Sequence, residues 1–420
     1  MKTNDKKSHA YSRRQVLGGS SALAAAGLLG NRPSAAPRAF FGAGGGGGTV
    51  FVQIFLRGAM DGLTTVVPHA EGAYYAARPG LAVPPPGQPG GAVDLDGFFG
   101  LAPAAAPLLT PFLAGDLAFV HASGSTDPTR SHFDAFARME FGEPNLPPGT
   151  TTGGWLGRFL QQTTPGGVLR AIGAGDILPL TLAGAPGALP IPDFDNFLFP
   201  GNPSTAQARV DVLSQAYANK PAPVGPAALG TFASIDLMDL VDFAGYSPAN
   251  GAQYPQTELG LRMRNIAALI KAGLGVEAIT VDFGSWDHHA SQGPLNGTMA
   301  LMLDELARSI EAFHADMQAM LGQVVLVAVS EFGRRLEENS SQGTDHGHGN
   351  VMMVLGDGIA GGQVLANWPG LAPGQLDQGD LAVTIDYRDI LGEILGQLLG
   401  ATDLAAIFPQ HTFTTHGITV

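Results

Sequence analysis

The chain alternates between unbroken apolar runs and apolar residues at helical spacing. Thr49-Val-Phe-Val-Gln-Ile-Phe-Leu56, Ala278-Ile-Thr-Val-Asp-Phe283, Val324-Val-Leu-Val-Ala-Val329 and Val351-Met-Met-Val-Leu355 have strand length and composition, and Leu117-Ala-Phe-Val120 is a shorter run of the same kind. Runs without polar alternation predict strands covered on both faces. Leu259, Met263, Ile266 and Ile270 recur every three or four residues, as do Met299, Met302, Leu306, Ile310, Phe313 and Met317, which predicts two helices with one buried side each. A last helix is predicted over Tyr387 to Leu399, with Asp386 as its N-cap. Helices alternating with apolar strands predict an α/β fold of three layers, a mostly parallel sheet covered by helices on both faces.

Two stretches break this pattern. Residues 167–230 are rich in Pro, Gly and Ala with little periodicity, and are expected to form an insertion or cap on a domain spanning residues 49–420. At the other end, Lys2, Lys6 and Lys7 precede Ser12-Arg-Arg-Gln-Val-Leu17, an uncharged alanine-rich run and the small residues Ser34-Ala-Ala36. That order predicts a twin-arginine signal peptide over residues 1–39, followed by a glycine-rich leader over 40–48. The apolar run is too short and too weakly apolar to span a bilayer, so no stable membrane span is expected after processing. A periplasmic or extracellular location follows, with the twin-arginine machinery as a partner.

Composition narrows the function. At 45% hydrophobic and 14% charged residues the chain is globular. Its formal charge is −14; without the first 39 residues, 15 basic side chains face 35 acidic ones, about −20, and nucleic acid is excluded as a partner. The absence of cysteine excludes disulfides and thiolate ligands.

The chemistry concentrates in two windows. Gly343-Thr-Asp-His-Gly-His-Gly349 brings Asp345, His346 and His348 together, and Ser285-Trp-Asp-His-His289 supplies Asp287 and His289 after another strand. Imidazole and carboxylate suit Zn2+ and related divalent ions, and the neighbouring glycines let the backbone bend around one. Asp61, in Arg57-Gly-Ala-Met-Asp-Gly62, lies just past the first strand, where open α/β sheets place their chemistry. Ser131 begins a helix, with Asp134 three residues on. It is either a cap or a hydroxyl held at the positive helix end as a nucleophile, with Thr129 as the spare. Glu331 ends a strand, either beside the site or in a salt bridge to Arg334 or Arg335.

Leu56-Arg-Gly-Ala-Met-Asp-Gly-Leu63, Thr129-Arg-Ser-His-Phe-Asp-Ala135, Gly284-Ser-Trp-Asp-His-His289, Ser330-Glu-Phe-Gly-Arg334 and the Gly343–Gly349 window resemble the ordered motifs of the DUF1501 family, itself related to the alkaline phosphatase and sulfatase superfamily. The resemblance implies an alkaline phosphatase-like fold and one or two divalent ions, with Zn2+ first and Mg2+, Mn2+ or Ca2+ as substitutes. Asp61, Asp287, His289, Asp345, His346, His348 and Glu331 would be the ligands, and Ser131 the nucleophile. Arg130 or Arg334 would hold the oxygens of a phosphate or sulfate ester, small or polymer-borne. Three departures stand out: Asp287 and His289 are spaced by two where phosphatases usually have four, Glu331 stands at a strand end where the superfamily often has its metal Asp, and no final metal-binding His follows far downstream. His348, or else His411 or His416, would have to supply it. The other reading is a non-catalytic exported surface or matrix protein that keeps the metal site for structure or ligand binding.

Overall fold

A computed structural model describes residues 48–420 except 146, 148, 149 and 166; the expected signal peptide, residues 1–39, lies outside the described residues. Among the described residues nine strands form the main sheet: β1 (Val50–Leu56), β2 (Leu117–Gly124), β3 (Ala171–Gly173), β4 (Ala188–Pro190), β5 (Ala278–Phe283), β6 (Val324–Val329), β7 (Asn350–Leu355), β8 (Val364–Ala366) and β9 (Ile385–Asp386). Their order is β8-β2-β7-β6-β1-β5-β3-β4, with β9 also on β2. β1 runs parallel between β5 and β6, and β3 and β4 continue in parallel beyond β5. β7 alone is reversed, antiparallel to both β6 and β2. The mostly parallel sheet read from the apolar runs is therefore present.

Both faces are covered, which is why the strands needed apolar residues at every position. Val52, Ile54 and Leu56 of β1 and Leu326 and Ala328 of β6 face one core, while Phe51, Phe55, Val325, Val327 and Val329 face the other. α1 (His132–Phe141), α2 (Trp155–Gln162), α3 (Ala206–Ala218), α4 (Val224–Met238), α5 (Glu258–Lys271), α6 (Thr298–Met317) and α7 (Tyr387–Gln397) are the longer helices. The stripes of α5 and α6 fill the first core with Met263, Ile266, Leu306 and Ile310, and α2 and α7 fill the second with Trp155, Phe159, Ile390 and Ile394. Asp386 caps α7 as expected, accepting from the Arg388 amide. Among the described residues no helix is long and apolar enough to cross a membrane.

Residues 167–230 are more than a cap. They contribute β3 and β4, which extend the sheet past β5, before α3 and the first half of α4. Strands of three residues set among Pro and Gly leave no period to read. The reversal of β7 matters for function, because the connection from β6 to β7 starts and ends on the rim where β1 and β5 also end. All the motif segments reach that rim.

Candidate metal centre

The rim is built on strained turns. After β1, Gly58 has φ +111 and Ala59 φ +59, and a Cβ on Gly58 would stand 2.8 Å from the Trp286 and Asp287 amides. Glycine is thus required for β1's exit loop to pass under the Asp287 loop, where Ser285 itself is held at φ +75. Beyond β6, Arg334–Glu338 pairs with Thr344–His346 as a small hairpin, with Arg334 opposite His346. The hairpin lies against the Asp287–His289 loop at Gly343, where a Cβ would come within 2.3 Å of the His289 carbonyl carbon.

Four side chains converge there. Asp287 Oδ1 lies 3.0 Å from His289 Nε2, 3.1 Å from His346 Nε2 and 3.4 Å from His132 Nε2, and the Nε2 atoms of His289 and His346 are 2.9 Å apart. His132, Asp287 and His346 each offer a ligand atom, all within 4.8 Å of one another. Ligand atoms around a tetrahedral ion with bonds near 2 Å stand about 3.3 Å apart, so these separations suit a small divalent ion.

The proton positions make the case stronger. His346 Nδ1 donates to the Arg130 carbonyl at 2.7 Å, His289 Nδ1 to Asp345 Oδ1 at 2.9 Å and His132 Nδ1 to Glu331 Oε1 at 2.6 Å. In the neutral rings each Nε2 is then a bare lone pair, and all three are aimed at a carboxylate oxygen. Lone pairs so arranged repel unless a cation lies among them, and His132 Nε2 is buried with no hydrogen-bond partner among the described residues. Oxygen acceptors that fix metal-binding imidazoles through Nδ1 are the usual second layer of a metal site. The donor set fits a divalent ion.

Charge is tuned to match at Asp287 and His346 and works against ligation at His132. Burial opposes ionisation of Asp287, but the Arg334 guanidinium at 2.7 Å, with help from His346 and His289, holds its carboxyl well below the usual range. Burial, with the neighbouring His132, pushes His346 down toward its neutral, ligating form against the pull of the Arg130 carbonyl. For His132 burial works the same way, but Glu331 and then Asp287 outweigh it and raise the ring. The Asp287 and His289 side chains are 44% and 43% exposed, which leaves one side of the group open to solvent.

Several expected ligands lie outside this group. Asp61 is 3% exposed and caps the turn Gly62–Thr65; its carboxylate is taken by Arg78, Thr64 and Gln292, and Arg78 is fully buried beside it. A carboxylate committed to a buried guanidinium is a structural ion pair. Glu331 forms no bond to Arg334 or Arg335; it accepts from the Gly58 amide and from His132, and so orients the His132 ring. Asp345 does the same for His289, with Asn339 as a second donor. His348 has both ring nitrogens occupied, by Asp377 and by the Ser125 carbonyl. His411 and His416 are tied to Asp389 of α7.

The two arginines are also differently employed. Arg334 is 1% exposed, with its donors on the carbonyls of Gly58, Ala59, Trp286 and Thr344 and on Asp287, so it clamps the loops. Arg130 pairs with buried Asp380 and the Pro128 carbonyl. Ser131 is the N-cap residue of α1, yet its side chain makes no cap hydrogen bond, and the capping box with Asp134 does not form. Thr129 Oγ1 is the acceptor for the Ser131 amide. Ser131 thus stands between Arg130, whose carbonyl holds His346, and His132. His132 escaped the sequence reading although it lies within the quoted Thr129–Ala135 motif; its adjacency to Ser131 was the available signal.

No curated protein matches the chain's sequence. Among solved structures it is similar to PsFucS1 sulfatase from Pseudoalteromonas sp., at 11% identity and TM-score 0.40, covering 89% of this chain and 74% of that one. It is also similar to Ps i-CgsB in complex with k-i-k-neocarrahexaose, at 9% identity and TM-score 0.39, covering 84% and 72%. The phosphonate monoester hydrolase of Agrobacterium radiobacter is similar at 10% identity and TM-score 0.31, covering 87% and 78%. Residues 237–406, which carry Asp287, His289, Glu331, Arg334 and His346, match the family described as "Protein of unknown function (DUF1501)".

Proposed function

We propose that this chain is an exported, metal-dependent hydrolase of phosphate or sulfate esters, with Ser131 as nucleophile. The observation that carries the reading is the convergence of three Nδ1-anchored imidazoles on Asp287 Oδ1. His132, His289, His346 and Asp287 would hold the ion, Zn2+ first among the candidates by donor type. Bound there, a divalent ion lowers the pKa of a neighbouring hydroxyl or water and offsets charge developing on a departing oxygen.

The chain's own residues supply the rest. Ser131, whose hydroxyl is engaged in no cap bond, attacks phosphorus or sulfur; the Oγ bond forms as the ester oxygen leaves as an alcohol, with proton exchange through the open, solvent-facing side. Water then cleaves the Ser131 ester, releasing phosphate or sulfate and restoring the hydroxyl. Glu331, Asp345 and the Arg130 carbonyl keep the three rings in the tautomer that presents Nε2. Arg13-Arg14 ahead of an apolar run supports twin-arginine export to the periplasm or beyond, a route that carries proteins already folded around their ion.

Elemental analysis of the purified protein, paired with a screen of aryl phosphate, phosphodiester and aryl sulfate substrates, tests the reading. Bound metal and turnover that both disappear on chelation are expected. Stoichiometric metal with no turnover would instead favour the non-catalytic exported protein.

A further inference from the structure

Resting on that reading, the inner group poses a charge problem. Asp287, Glu331 and Asp345 bring three carboxylates and Arg334 one guanidinium, so a divalent ion makes the group formally neutral. A neutral centre on a chain of net charge −14 does little to draw in an anionic ester. A cation at the mouth with donors not already engaged would supply that attraction.

Arg130 and Arg334 are both committed, as described above. Arg335 is not. Its side chain is 42% exposed, its nearest acidic oxygen is Asp380 Oδ1 at 3.8 Å, and its hydrogen bond to the Gln378 carbonyl is stretched to 3.5 Å. Asp380 Oδ1 stays without a hydrogen-bond partner although Asp380 is fully buried, because Arg130 binds the other oxygen. The Arg335 backbone is fixed: it bridges to Asp380, and its carbonyl accepts from Arg78. Arg335 follows Arg334, the residue paired with His346 across the hairpin. Its charge also reaches Asp345, the carboxylate that orients His289.

We propose that Arg335 is the side chain that receives the anionic head group of the substrate, a phosphate or sulfate monoester, at the open side of the metal centre. Its guanidinium presents paired N–H donors that match two non-bridging oxygens. The anchored backbone and loosely held head let it turn toward an incoming anion at the loss of only a stretched hydrogen bond to the Gln378 carbonyl and a 3.8 Å contact with Asp380 Oδ1.

The test is calorimetric titration of inorganic phosphate, and separately of sulfate, into zinc-loaded wild type and into Arg335→Ala, Arg335→Gln and Arg335→Lys, with zinc content and melting temperature recorded for each. Loss of charge-assisted hydrogen bonds should weaken anion binding roughly tenfold to a hundredfold in Arg335→Ala at unchanged zinc content, and lysine should recover part of it. If Arg335→Ala melts early, Arg335→Gln gives the comparison. Anion binding within about twofold of wild type in a folded, zinc-loaded alanine or glutamine variant overturns the role of Arg335 and leaves the hydrolase reading standing. A wild type that takes up no zinc, or that binds neither anion when loaded, removes the hydrolase reading and the Arg335 role with it.

Discussion

Glu331 and His132, 199 residues apart, are joined by a 2.6 Å hydrogen bond from the imidazole Nδ1–H to the carboxylate Oε1. The same carboxylate oxygen accepts from the Gly58 amide, so one side chain ties β1's exit loop to the first turn of α1. Removing the carboxylate's charge should therefore change metal affinity without removing a ligand. Glu331→Gln is expected to weaken zinc binding about 10- to 100-fold, as for other outer-layer partners, and His132→Ala by at least as much. Competition with a chromophoric chelator measures both. Affinities equal to wild type would remove His132 from the centre.

Asp61 should behave in the opposite way. Replacing it with Asn leaves Arg78 buried without its countercharge, a change that typically costs about 3–5 kcal/mol. Urea unfolding of the metal-free protein should show this loss, while zinc content per folded molecule stays unchanged. Loss of zinc at undiminished stability would restore Asp61 as a ligand.

Ser131→Ala separates the nucleophile from the cap. Because the hydroxyl makes no cap bond, the variant should lose less than the roughly 0.5–2 kcal/mol typical of an N-cap deletion. It should keep its metal, and turnover should fall by several orders of magnitude. Activity near wild type would pass the nucleophile's role to water or to Thr129.

The acid limb of stability should carry the signature of His121. This ring is fully buried between the Val66 carbonyl and the Ala122 amide, and burial pushes it down to about 4, with small opposing contributions from Val66 and Asp61. An unfolded His titrates near 6.5, so between these values the unfolded chain binds the extra proton. The contribution is fully present above about pH 6.5 and lost as pH falls toward about 4, in total roughly 3 kcal/mol. Denaturant unfolding of the metal-free protein across this range, compared with His121→Gln, should show the steeper decline in wild type. Parallel curves would assign the acid limb to other groups.

Export is tested on the sequence motif itself. Changing Arg13 and Arg14 to lysine should hold the precursor inside the cell, as the twin-arginine machinery reads that pair. Cell fractionation gives the answer, and undiminished secretion would end the assignment.

The strands that form the middle of the sheet were legible because burial on both faces leaves a composition that few other elements share, as in Val324–Val329. β3 and β4 were not, since three residues between Pro and Gly carry no period, and their pairing, β3 on β5 and β4 on β3, joins segments remote in sequence from β5. Asp287, His289 and His346 could be found from local windows, as candidate ligands delivered by one loop or one hairpin. The roles of Asp61 and Arg334 depend on partners remote in sequence: Arg78 reaches Asp61 while also binding the carbonyls of Arg335 and Leu336. Such pairings are properties of assembled loops, and a carboxylate beside a strand end looks the same whether a guanidinium or an ion will meet it.

The chain has no cysteine, so nothing covalent fastens its rim. An ion bridging His132, Asp287, His289 and His346 would act as that fastening. It would close a loop of 57 residues between His289 and His346 and a much longer one back to α1. Cross-links that close long loops act mainly by shrinking the unfolded ensemble, by an amount that grows only slowly with loop length. Loading with metal should then protect three separated segments against proteases together, as one cooperative unit, and stripping it should release them together.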